Sequence, residues 1–249
     1  MSDRTSGPVP VDATVSLRHD FKDAVETLDW SVIPAKLPET VAPWRTFHWR
    51  YGQRHYSGSY WSATQDDLVV YESRLELTRL IYADFDQTVS HVVAQPFLIE
   101  ALVAKKQRRH VPDFFLTTPD GPIVVDVKPV GRLQKPEIAF TLAWTRRLVQ
   151  QRGWRYEIWS EPPRTELSNL RFLAGYRDER RFNRDLVQRQ VNVDLDGCSI
   201  EEAISSQPDA AVAIVRSVVL HLIWRGHFTT DLSRPLSSKS RLHQRRSSE

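Results

Sequence analysis

A chain of 249 residues with 41% apolar and 26% charged side chains suits one large domain or two modest ones around a real buried core. Its one cysteine, Cys198, excludes an intramolecular disulfide and a cysteine-built zinc site. A net charge of +3 is too small to argue for a nucleic-acid partner by itself, so the local distribution of charge has to decide.

The opening stretch MSDRTSGPVPVDATVS has no apolar centre, so a secretory signal is not expected. Residues 1–25 are polar and proline-containing and are expected to be poorly ordered. Residues 44–62, WRTFHWRYGQRHYSGSYWS, mix aromatics with Arg and His between glycines. They predict a hairpin or short strands, either with one aromatic face packed inward or with stacking residues offered to DNA. Residues 73–84 place Leu75, Leu77, Leu80 and Ile81 at helical spacing. Residues 91–99 predict a strand. Residues 111–117 and 122–128 predict two more, separated by the turn Thr118-Pro119-Asp120-Gly121. A helix over 137–151 ends at Gly153, and 154–160 is a further strand.

Glu161-Pro162-Pro163 interrupts this α/β unit and is a plausible boundary. Beyond it come helices over roughly 165–176, 179–191, 200–206 and 209–225, with Ser199 and Glu202 as a capping box. The apolar stretch Ala210–Trp224 is broken by Arg216 and His221 and is too short and polar to span a bilayer. After Gly226 the segment HFTTDLSRPLS predicts a short hairpin, so helices plus hairpin suggest a small winged-helix domain. Residues 237–249, SSKSRLHQRRSSE, predict a flexible basic tail.

The chemistry is concentrated around the 118–121 turn. If Thr117 pairs with Pro122, Asp113 falls opposite Asp126, and strand alternation puts Asp126 and Lys128 on one side. Two facing carboxylates repel and need compensation by a shared proton, by Lys128 or by a divalent cation. Carboxylates with water and phosphate oxygens suit Mg²⁺, with Mn²⁺ as a substitute. Glu76 is the candidate third carboxylate, although Ser73-Arg74-Leu75-Glu76 is also a capping-box pattern, and Glu72 competes. The Val127 carbonyl is a further candidate ligand. Lys105, Lys106, Arg108, Arg109 and His110 lie just before Asp113, either as a solvated face or as counter-charges for DNA phosphates.

At these residues the sequence resembles a known family. YESRLELTRLIYADFD, QPF, RRHVPDFFL and VVDVKP together resemble the TnsA-type endonuclease subunit of heteromeric transposases, over roughly residues 45–235. The resemblance implies a catalytic glutamate at Glu76, a metal-binding aspartate at Asp113 and a catalytic lysine at Lys128. It puts Asp126 at a position that is a carboxylate or glutamine among relatives. It further implies a restriction-endonuclease-like PD-(D/E)XK α/β core over 26–163 and a winged-helix-like module over 164–236. The implied activity is Mg²⁺-dependent cleavage of the 5′ ends of transposon DNA. The implied partners are a TnsB-like DDE transposase and a TnsC-like AAA+ ATPase, in the cytoplasm. Two other readings keep the same fold: a stand-alone restriction or repair nuclease, and a non-catalytic DNA-binding adaptor.

Overall fold

The computed structural model describes residues 8–19, 24–37, 41–45 and 56–244, which form two compact units. The first comprises the described residues up to Ala83 together with Thr88–Glu161, and the second comprises Asp84–Gln87 and everything described from Pro162. Among the described residues no helix is long and apolar enough to cross a membrane.

In chain order the first unit contains β1 (Val11–His19), β2 (Ala24–Asp29), β3 (Gly58–Ser62), β4 (Asp67–Tyr71) and α1 (Arg74–Phe85), whose last residues group with the second unit. There follow β5 (His91–Ala94), β6 (Leu98–Val103), β7 (Lys106–His110), β8 (Phe114–Thr117), β9 (Ile123–Val127), α2 (Val130–Leu133), α3 (Pro136–Gln151) and β10 (Arg155–Trp159). Two four-stranded sheets, ordered β2-β1-β6-β7 and β10-β9-β8-β5, accompany the β3-β4 hairpin. The fold is thus mixed α/β with several sheets, which is consistent with a nuclease-like core.

The site depends on the β8-β9 hairpin. Gly121 sits at φ +96°, a conformation that suits glycine, and Thr118 Oγ1 closes the turn on the Gly121 carbonyl at 2.6 Å. The turn fixes Phe114 opposite Val125 and Leu116 opposite Ile123, which is the register that the turn chemistry predicts. After β9 the chain crosses over through α3 and returns as β10, parallel to β9, with Ile158 beside Asp126. A parallel pair needs such a helical crossover, and its β9 strand, IVVDV, is accordingly apolar on both faces except at Asp126. Trp30, Phe97, Phe115 and Trp154 form edge-to-face ring pairs in the core, and the Trp30 indole donates to the Leu148 carbonyl at 3.1 Å.

The structure corrects several expectations. Residues 1–25 were expected to be poorly ordered, yet 11–19 form β1, paired with both β2 and β6. Its Val15 and Leu17 are fully buried, and that apolar alternation at period two outweighs the polar residues between them. The expected 91–99 strand is two strands, divided at Gln95-Pro96, where Gln95 takes φ +45°. Of the basic run 105–110, Lys106–His110 form the edge strand β7, and Lys105 stands in the turn before it. In the aromatic segment, residues 46–55 lie outside the described residues, and Gly58–Ser62 pairs with Asp67–Tyr71 as a hairpin.

The second unit is helical: α4 (Arg164–Leu173), α5 (Arg184–Val191), α6 (Ile200–Ser205) and α7 (Val212–Trp224), then a two-residue ladder of β11 (Phe228–Thr229) with β12 (His243–Gln244). The core of α7 is apolar on nearly every side from Val215 on, as expected of a buried helix. Ser199 and Glu202 form the expected capping box on α6. The hairpin expected within 227–237 does not form there, because Phe228 finds its partner at Gln244. The flexible tail expected from 237 is corrected as far as Gln244. Leu242 is fully buried, its amide donates to the Cys198 carbonyl at 2.8 Å, and the Ser240 carbonyl accepts from the Ile200 amide at 3.0 Å. Residues 245–249 lie outside the described residues.

Candidate functional site

Beyond the last strand pair, Phe114 with Val125, the register slips by one, and the Asp113 amide donates to the Val125 carbonyl at 3.0 Å. That places Asp113 at the strand mouth beside the end of β9. Asp113 Oδ2 accepts from the Val127 amide at 2.6 Å and from Lys128 Nζ at 2.8 Å. Lys128 Nζ also donates to the Val127 carbonyl at 3.1 Å and lies 3.7 Å from Asp126 Oδ1. The backbone of Lys128 is held on both sides, its amide donating to the Trp159 carbonyl and its carbonyl accepting from Ser160 Oγ. The two aspartates and the lysine therefore form one cluster, although Asp113 and Asp126 are not the strand pair that the turn register predicts.

Glu76 enters from the first turn of α1. Its carboxylate accepts from Ser73 Oγ at 2.8 Å and from the Glu72 amide at 2.7 Å, while Ser73 Oγ accepts from the Glu76 amide at 3.1 Å. The capping arrangement is therefore present, and Glu76 nonetheless lines the same cleft as Asp113 and Lys128. Glu72 also lines this cleft, paired with Arg45 at 3.1 Å. The cleft has a volume of about 820 Å³.

Burial and the Asp113 charge push the Glu76 carboxyl up to about 7. Burial also raises Asp113, against the pull of Lys128 and with the push of Asp126. Burial alone would lower Lys128, but Asp113 and Asp126 outweigh it, so the ammonium is held above its ordinary value. Asp126 is fully buried, which would raise it, yet His110, Lys128 and Tyr156 hold it below the usual carboxylate value.

His110 Nε2 lies 2.9 Å from both Asp126 oxygens, and the Tyr156 hydroxyl donates to Asp126 Oδ2. Burial and then the Asp126 charge raise Tyr156 well above its usual value, so it remains a protonated donor. Tyr156 and the role of His110 were not foreseen, since the β10 register with β9 and the approach of β7 from the other sheet are not local in sequence. Among the basic residues expected to meet DNA, His110 lines the cleft and the others do not. Arg109 pairs with Glu100 at 2.6 Å, and the Arg108 guanidinium lies 5.1 Å from the Phe140 ring centre. Lys105 and Lys106 are exposed at the tip of the β6-β7 hairpin.

Sequence reasoning also missed two cleft cations, Arg45 and Arg132. Arg45 is placed by Gln95 of the QPF motif, whose Oε1 accepts from the Arg45 amide at 3.0 Å. The Gln95 amide in turn donates to the Asp113 carbonyl at 2.9 Å. Arg132 stands exposed on α2, four residues after Lys128.

The donor chemistry at the cleft is carboxylate and carbonyl oxygen, with no thiol. It fits a hard divalent cation that keeps several waters. Among the described residues, no three His, Cys, Asp or Glu side chains already converge as a ready cation site. Glu76 and Asp113 face the cleft, while Asp126 stands behind it in its own hydrogen bonds. Residues 86–161 match the family model described as TnsA-like endonuclease N terminal. The matched segment includes Asp113, Asp126 and Lys128 and ends at Glu161, whereas Glu76 precedes it. No curated protein matches the chain.

Proposed function

We propose that this chain, which carries a TnsA-like endonuclease N-terminal domain, hydrolyses phosphodiester bonds at the 5′ ends of transposon DNA as the nuclease subunit of a heteromeric transposase. The observation that carries the reading is the meeting of Asp113, Lys128 and Glu76 in one cleft, with Asp126 directly behind. Glu76, Asp113 and the Val127 carbonyl, together with Asp126, are the groups that would hold Mg²⁺ or Mn²⁺. Bound there, the ion would lower the pKa of a coordinated water and neutralise charge on phosphorus.

The chain's own residues have separable tasks. Lys128 is held protonated between Asp113 and Asp126, so its role is to stabilise the charge that builds on the phosphoryl oxygens rather than to remove a proton. Arg45 and Arg132 flank the cleft and neutralise neighbouring phosphates. Water adds to phosphorus, the bond from phosphorus to the 3′ oxygen breaks, and the water's proton ends on that leaving oxygen or in solvent. The products are a 5′-phosphate and a 3′-hydroxyl. A TnsB-like DDE transposase would process the 3′ ends, and a TnsC-like AAA+ ATPase would regulate the pair. The second unit is read as a helical module for protein contact, a reading that its exposed Phe172 and Val212 favour.

The test is Asp113→Asn in the full chain, assayed with a DDE transposase partner on DNA carrying transposon ends. The expected result is loss of 5′-end cutting with DNA binding retained. Cutting at the wild-type rate by a folded variant would reject the assignment, and cutting by the wild-type chain with Mg²⁺ and no partner would favour a stand-alone nuclease.

A further inference from the structure

Asp126 is a fully buried carboxylate whose surroundings exceed what a sheet needs to tolerate it. Its three polar neighbours come from different elements: His110 from β7, Tyr156 from β10 and Lys128 from the end of β9. His110 belongs to the other four-stranded sheet, so its bond to Asp126 spans the two sheets. The His110 ring is in turn set edge-on against buried Trp144, with centroids 6.1 Å apart and planes at 82°. Tyr156 donates to Oδ2, His110 Nε2 lies 2.9 Å from both oxygens, and Oδ1 is also turned toward Lys128 at 3.7 Å. His110 alone of the two partners lines the cleft. The carboxylate plane is therefore fixed by His110 across both oxygens and by Tyr156 on Oδ2, and Oδ1, without the Tyr156 bond, also faces the Lys128–Asp113 pair.

We propose that His110 and Tyr156 are positioning residues of the cleavage site, clamping Asp126 in the orientation that lets Oδ1 serve the cleft together with Asp113. The proposal rests on the nuclease reading above and adds to it the two residues that set the geometry of its buried carboxylate. It also reassigns His110, whose ring nitrogen is committed to Asp126 rather than free for a DNA phosphate. A carboxylate that serves a cation is commonly held by such outer hydrogen bonds, and losing one typically weakens cation binding or activity roughly 10- to 100-fold.

The experiment is a calorimetric Mn²⁺ titration of the full chain as wild type, Tyr156→Phe, His110→Gln, Asp126→Asn and Asp113→Asn, with thermal melting of each. Tyr156→Phe removes a single hydroxyl and keeps the ring, so it carries the test if His110→Gln fails to fold. The expected result is Mn²⁺ affinity reduced roughly 10- to 100-fold in Tyr156→Phe and in His110→Gln. Adding Tyr156→Phe to Asp126→Asn should cost no further affinity, because the hydroxyl acts through that carboxylate. A residue that merely ties two sheets would shift melting and leave the isotherm unchanged. Two results overturn the proposal while leaving the nuclease reading intact: a folded Tyr156→Phe chain that binds Mn²⁺ like wild type, or Asp126→Asn binding Mn²⁺ like wild type while Asp113→Asn does not. A wild-type chain that binds no Mn²⁺ overturns both.

Discussion

A carboxylate only 9% exposed that shares a cleft with a second carboxylate destabilises the fold whenever both are ionised. Glu76 illustrates the sign of this effect. Its carboxyl lies at about 7 in the folded chain against an ordinary 4.5, because burial and then Asp113 disfavour the anion. Below pH 4.5 Glu76 is protonated in both states and costs nothing. As pH rises toward 7 the unfolded chain ionises first, and stability is lost, by roughly 3 kcal/mol once pH exceeds the folded value. Glu76→Gln should remove most of this loss, since the side chain carries no charge, its one amide oxygen can still accept from the Glu72 amide, and its NH2 can donate to Ser73 Oγ. Urea unfolding in EDTA should show wild type weaker at pH 8 than at pH 5, with the gap largely closed in the variant. Mn²⁺ should restore wild type at pH 8 and do little for Glu76→Gln. An equal pH dependence in the two proteins would mean that Glu76 is not the strained group.

At the scale of elements, β7 and α2 divide the basic residues into two classes. Lys105 and Lys106 project from an exposed hairpin tip away from the cleft lining, whereas Arg132 of α2 lines the cleft itself. Lys105→Ala/Lys106→Ala should therefore weaken DNA affinity and lower the salt slope by up to about 2, about one per phosphate contact, with kcat unchanged. Arg132→Ala should slow cutting at saturating DNA instead. A salt slope unaltered by the double lysine change would return β7 to an ordinary solvated edge. The same elements explain what sequence could and could not reveal. The Asp113–Asp126–Lys128 cluster was readable because a turn and two alternating strands are local, and the register follows from four turn residues. β1 was missed because its apolar positions are interleaved with Asp, Thr and Ser, and its partner β6 lies some eighty residues away. His110 and Tyr156 were missed for the same reason: no local pattern announces that β10 pairs with β9 or that β7 of the other sheet brings His110 to Asp126.

At the scale of the whole molecule, the two units pose different binding problems. The first concentrates its charge in a cleft of carboxylates, Lys128, Arg45 and Arg132. Both units expose some apolar side chains, and in the second they lie on α4 and α7: Phe172 at 44%, Val212 at 70% and Ile214 at 52%. A helix that reads DNA offers cations and amides to the groove, whereas a protein contact is centred on aromatic and aliphatic anchors. The exposed positions of α4 and α7 match the second description, so the prediction separates them from catalysis. Phe172→Asp with Val212→Asp introduces two charges at solvated positions and should change melting little. It should leave Mn²⁺ binding and DNA affinity within about twofold of wild type, while weakening association with a AAA+ ATPase regulator by an order of magnitude or more, as expected when central anchors are lost. Calorimetry with the ATPase and fluorescence anisotropy with transposon-end DNA distinguish the outcomes. If DNA affinity falls and ATPase binding is intact, the helical unit is a DNA reader, and the division of labour between the two units has to be reversed.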